Sequence, residues 1–225
     1  MQIIVPILIA AAVMLVILLL FILIRAIRFG KKSNRVTLNA EIVPVDLDAR
    51  EMAEHLSHVI QCATVSSLEP DKIDQSTFDA LHQALDVDFP RIKEKLDKTV
   101  LNGHNLIYRW EGTHPELDPI LFMAHQDVVP ADPVTLDQWT HPPFSGAIVD
   151  GTLWGRGSQD CKNVMISTME AIEALLAVDY QPERTVYMAF GQDEEVGGRT
   201  GQKVISQHFK DQGIHFAAVL DEGGA

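Results

Sequence analysis

Three acidic side chains, Asp193, Glu194 and Glu195, stand in a row between glycines directly after the apolar run TVYMAF. Adjacent carboxylates in a partly dry cleft repel, and one takes up a proton unless a cation lies between them. Three other apolar runs end in a similar way. PILFMA leads into His125-Gln126-Asp127, TLWGRG into Ser158-Gln159-Asp160, and FAAVL into Asp221-Glu222. Taken singly, each reads as an ordinary turn or helix cap. Four together point to a cation site at the carboxyl edge of one sheet. His125 and Asp127, two residues apart in extended backbone, face the same way. The carboxylate would then accept the imidazole's second N–H while the other nitrogen binds metal. Imidazole with carboxylates suits zinc, and manganese and cobalt fit the same donors. An aspartate shared by two metals would serve carbonyl polarisation and water activation. One glutamate of the pair would ligate while the other stays free to move protons.

The elements that must hold these residues alternate between strand and helix, which indicates an α/β domain with a mostly parallel or mixed sheet flanked by helices. Helical periodicity covers roughly Leu47 to Gln61, Gln75 to Leu85, Arg91 to Leu96, Asn163 to Val178 and Gln202 to Phe209. Leu106, Tyr108 and Trp110 alternate with Ile107 and Arg109 as in a strand. GAIVDGTLWGRG reads as a hairpin turning at Asp150-Gly151. Asp160 suits the cap of the helix that follows it; Asn163 in that role would leave Asp160 free.

Ile3 to Ile24 carries no charge, which is long enough for one transmembrane helix. The run lacks a basic segment before it and a small-residue cleavage site after it, so it reads as a retained anchor. The domain expectation is therefore an anchor with basic flank over 1–32, a tether over 33–46 and a catalytic portion over 47–225. Arg25, Arg28, Lys31, Lys32 and Arg35 all follow the span, which places the next domain in the cytoplasm by the positive-inside rule. All 31 acidic residues lie beyond that cluster in a chain of net charge −13. Such an acidic domain excludes nucleic acid as a partner. Cys62 and Cys161 make neither a disulfide framework nor a thiolate zinc site.

MAHQDVVP, PPFSGAIVDGTLWGRGSQDCK, AFGQDEEVGG and VLDEGG together resemble the dinuclear zinc amidohydrolases and exopeptidases. The resemblance runs from about Leu47 to the last residue. It is strongest to the carboxypeptidase S-like branch, which includes hydrolases of N-acyl amino acids. It implies a zinc exopeptidase-like catalytic domain with two zinc ions. His125 would bind one zinc with Asp127 orienting it, and Asp160 would bridge the pair. Glu195 would ligate the second metal, Asp221 the first, and Glu194 would be the general base. The family often has a cis peptide after the bridging aspartate, here Asp160–Cys161. Cys161 itself reads as a buried, inert thiol.

The resemblance also implies a late histidine ligand and a lid domain that often forms a homodimer interface. All nine histidines precede Asp221, so the chain reads as the N-terminal portion of the enzyme, inactive by itself. The expected substrates are peptides with a free C-terminus or N-acyl amino acids, reached by a membrane-tethered hydrolase. Two alternatives stand beside this: a non-catalytic membrane-anchored fragment, and a small-metabolite deacylase of the acetylornithine type. Carboxypeptidase S-like relatives are often lumenal or secreted, against the cytoplasmic placement that the charges favour.

Overall fold

The computed structural model describes residues 4–32 and 47–222, which fall in two separate units. The first holds helix α1 (Ile4–Lys32), whose described side chains are exposed all round. Within it Val5–Arg28 is long and apolar enough to cross a membrane. A signal sequence near an N-terminus has the same character. The expected tether lies outside the described residues.

The second unit is an α/β domain. Helices α2 (Ala49–Gln61), α3 (Gln75–Asp88) and α4 (Pro90–Lys95) come first. Asp48 caps α2 by accepting the N–H groups of Arg50 and Glu51, and Asp74 caps α3 through Ser76 N–H. Pro90 starts α4, where its missing N–H costs nothing. Strands β1 (Asp97–Leu101), β2 (Asn105–Trp110) and β3 (Ile120–His125) follow. Then come β4 (Ala147–Val149) and β5 (Thr152–Trp154), helix α5 (Lys162–Ala177), β6 (Val186–Gly191), α6 (Gln202–Asp211) and β7 (Ala218–Leu220).

Five strands form a mixed sheet in the order β1-β2-β6-β3-β7. The β1–β2 and β2–β6 pairs are antiparallel, and β3 runs parallel to both β6 and β7. Both faces of the central strands are covered. Val186, Met188 and Phe190 pack with α2, α3 and α5, while Tyr187 and Ala189 pack with Ile205 and Phe209 of α6. A strand buried on both sides needs no polar alternation, which is why TVYMAF is continuously apolar. In β2 the expected two-faced pattern is modified: Ile107 is buried in the second cluster, and only Arg109 reaches out, to Asp97 and Glu111.

One strand was not anticipated, and one expectation needs correction. Strand β1 gave no periodic signal because it is an edge strand with mostly exposed residues. The β4–β5 hairpin is a separate two-stranded sheet, so Asp160 follows a strand outside the sheet whose edge carries the other acidic turns, although its carboxylate reaches His125 there. The hairpin itself turns where expected: Val149 pairs with Thr152, and Asp150 and Gly151 take φ of 50° and 74°. Both values are positive, as a two-residue type I′ turn requires.

Candidate metal centre

The parallel β3–β6 ladder ends at the pair His125 and Gly191, so the two segments that follow leave the sheet side by side. His125 is fully buried. Its Nδ1 lies 2.8 Å from the backbone oxygen of Asp127 and 3.4 Å from that residue's carboxylate. Nδ1–H donates to that carbonyl, which leaves Nε2 as the ring atom that a metal would meet. The anticipated acceptor was the carboxylate; the carbonyl takes the bond because the chain curls back after β3. The Asp127 carboxylate holds the neighbouring loop instead, accepting Glu194 N–H at 3.0 Å and Glu195 N–H at 3.1 Å. Asp127 thus ties the imidazole segment to the glutamate pair.

His125 Nε2 faces a ring of oxygens: Asp160 Oδ1 at 3.0 Å, Glu222 Oε1 at 3.6 Å and Glu194 Oε2 at 3.9 Å. Asp160 arrives on the turn between β5 and α5. Position Cys161 caps α5 without a side-chain bond, and Asn163 lies inside the helix, so neither candidate cap acts as one. The turn is gripped from behind by Lys162, which is fully buried and donates to the carbonyls of Val59 and Cys62, both at 2.7 Å. Burial pushes the Lys162 ammonium down to about 7. The Asp160–Cys161 peptide is cis, as the resemblance implied. Cys161 is buried, its sulfur accepts His125 N–H at 3.2 Å, and burial pushes its thiol up.

The opening row of acids divides its work. Asp193 is buried and accepts both the N–H and the hydroxyl of Thr200 at 2.8 Å, which closes the loop. Glu194 and Glu195 lie on a single 3-10 turn that ends at Gly197, whose φ of 96° suits glycine. Burial first, and then nearby carboxylates, raise the pKa of both glutamates. His125 is pushed up to about 12: burial opposes its charge, but bonding to Asp127 and Cys161 outweighs it. A cluster that retains protons in this way lacks positive charge, which a divalent cation would supply.

One donor atom each from His125, Asp160 and Glu195 falls within 4.8 Å of the others, and a second such group joins His125, Cys161 and Glu222. One ring nitrogen with two carboxylates fits a zinc-type ion. Asp221 is in neither group; it is exposed, and its Oδ1 accepts Glu222 N–H at 2.9 Å. The described β3–β7 pairing stops at Phe122–Leu220, one residue short of Asp221. In the sequence Glu222 reads only as a strand-end carboxylate without a role, and Lys162 and Gln126 have no part in the site. Gln126 is buried between two site residues on the opposite face of the strand, and a polar residue there was the available signal.

Residues 121–224 match the family described as Peptidase family M20/M25/M40. A probable carboxypeptidase S-like protein of Dictyostelium discoideum is 37% identical over 92% of this chain and 40% of its own length. An N-fatty-acyl-amino acid synthase/hydrolase of Xenopus tropicalis is 31% identical over 93% of this chain and 41% of its own length. The chain thus spans about two fifths of the curated relatives it matches. Its fold is similar to that of a M20 family metallo-carboxypeptidase from Sulfolobus solfataricus, with TM-score 0.62 and 18% identity over 80% of this chain and 38% of that one. Motifs and relatives agree: residues 121–224 carry a domain of peptidase family M20/M25/M40, and the chain is similar to carboxypeptidase S-like proteins.

Proposed function

We propose that this chain forms most of the metal centre of a membrane-anchored hydrolase of amide bonds, acting on peptides with a free C-terminus or on N-acyl amino acids. The observation that carries the reading is the convergence of donor atoms from His125, Asp160 and Glu195 within 4.8 Å, beside a second glutamate. His125 would hold one metal, Asp160 would be shared with a second, and Glu195 would complete the second site. Asp221 would join the first. Extending the β3–β7 register by one residue sets Asp221 opposite Met123, two residues from His125 and on the same face. Zinc held by these residues would supply Lewis acidity toward the scissile carbonyl and toward a nearby water.

The protein's own residues do the rest. Asp127 fixes the loop that carries Glu194 through its backbone N–H. Glu194 takes a proton from the attacking water and returns it to the leaving nitrogen, and its raised pKa suits a group that must both accept and donate. Helix α1 anchors the protein by the 24-residue span Val5–Arg28, about 36 Å at the helical rise. Its basic flank favours a cytoplasmic catalytic unit.

Metal analysis and turnover test the reading together. The wild-type protein should bind zinc and Asp160→Ala should lose it, whereas Glu194→Ala, placed in a full-length enzyme that hydrolyses an N-acyl amino acid, should keep zinc and lose that activity. Full zinc occupancy in the Asp160 variant would remove the bridge. Alkaline extraction tests the anchor: release of the protein from membranes would show that α1 does not span.

A further inference from the structure

His125 and Asp127 face the site, so Gln126 between them must face away, into a fully buried environment. A buried amide is costly unless every polar atom is partnered. Gln126 Nε2 donates to His104 O at 2.7 Å and to Phe190 O at 2.8 Å, which uses both of its hydrogens. That fixes the amide's orientation and leaves Oε1 in need of a donor. His82 Nε2, on α3, lies 2.7 Å from it. We propose that His82 and Gln126 are positioning residues: the Nε2–H of His82 locks the Gln126 amide, and that amide pins the segment carrying His125 and Asp127. The consequence for metal binding rests on the function proposed above.

The surroundings make this bond directional. Burial lowers the pKa of His82, helped by Lys98 and His104 and opposed by its bond to Gln126. Burial disfavours the charged ring, and in the neutral ring the proton must sit on Nε2 because a carbonyl oxygen only accepts. Helix α3 also grips His104 directly: Asp79 bonds its Nε2 at 3.0 Å, and the rings of Phe78 and His82 lie 5.3 and 5.4 Å from its own. The turn that carries His104 reaches the second site loop as well. His104 N–H donates to Gln192 Oε1 at 2.7 Å, and Gln192 N–H donates to Asn105 Oδ1 at 3.1 Å. One β1–β2 turn, held by α3, therefore steadies both segments from which the donor atoms project.

Two substitutions separate a donor from a space-filler. His82→Phe keeps a ring against Phe78 and His104 but removes the N–H, whereas His82→Gln returns an N–H near the place of Nε2. Zinc affinity, measured by chelator competition, should fall about tenfold in H82F, as for other residues that orient a metal ligand, and recover in H82Q. In metal-free protein, hydrogen exchange at the amides of Gln126 and Val128 should quicken in H82F, recover in H82Q, and stay unchanged in α5. Unaltered affinity and exchange in a folded H82F overturns the proposal. So does an H82Q as impaired as H82F, which would assign the effect to packing. If the wild type takes up no zinc, the metal reading fails, while the exchange measurements still decide the positioning role. Nitrogen NMR of the wild-type His82 ring needs no variant to fold: a proton found on Nδ1 rather than Nε2 sinks the idea.

Discussion

His125 and Asp127 expose 1% and 0% of their side chains, whereas Asp160 and Glu194 expose 70% and 46%. The first pair is enclosed by the Asp127 carbonyl, two amides of the glutamate turn and the Cys161 thiol. In the second pair, Glu194 is held through its backbone N–H while Asp160 turns Oδ1 toward His125 Nε2, and both side chains stay open to water. Geometry is thus set at the back of the cluster and charge is presented at the front. Removing a back residue should cost folding, and removing a front residue should cost chemistry alone.

Glu194→Gln is the most severe test at the front. Turnover in an active, zinc-loaded protein should fall by about 10² to 10⁴, the usual worth of a general base, with the unfolding midpoint unchanged. A loss of stability equal to that of a back-side variant would erase the contrast. Asp127→Ala should be the converse. It strips two backbone N–H groups of their acceptor, and each buried orphan costs about 1–3 kcal/mol, so urea unfolding should show a loss of about 3 kcal/mol or more. An Asp127→Ala protein as stable as wild type would show that the glutamate loop is held by something else.

Asp160→Ala sharpens the comparison through ligand linkage. Zinc at 100 times its dissociation constant should stabilise the wild type by about 2.7 kcal/mol. The variant should gain almost nothing, while its metal-free stability matches wild type. The smallest effect concerns pH. Burial lowers the folded pKa of His82, so the unfolded chain binds more protons between that value and the ordinary one near 6.5. Stability must then decline as pH falls through that window. Melting curves of His82→Gln should decline less steeply there than those of wild type; parallel curves would show that His82 titrates alike in both states.

The opening three acids show how far residue type and spacing reach. Glycines on either side and an apolar strand before them identify the loop, and carboxylates recurring after other strands identify a cation site. That reasoning could not tell that Asp193 is a clasp for Thr200 rather than part of the site, because the distinction is one bond to a residue seven positions on. Asp160 is the sharper lesson. Its candidacy was legible, but the supposed sheet edge was not, since strand pairing depends on partners far along the chain.

From the sequence alone came everything that local rules determine: the apolar span, the hairpin at Asp150-Gly151, the helices, the strands with strong apolar runs, and the types of residue that gather charge. Tertiary structure alone decided which oxygens reach His125. It also decided that Asp127 holds the glutamate loop, and that Lys162, His82 and Gln126 hold the site from behind. The physical reason is common to all of these: a buried polar group must find a partner, and the fold, not the neighbouring sequence, decides which atoms are within about 3 Å of it.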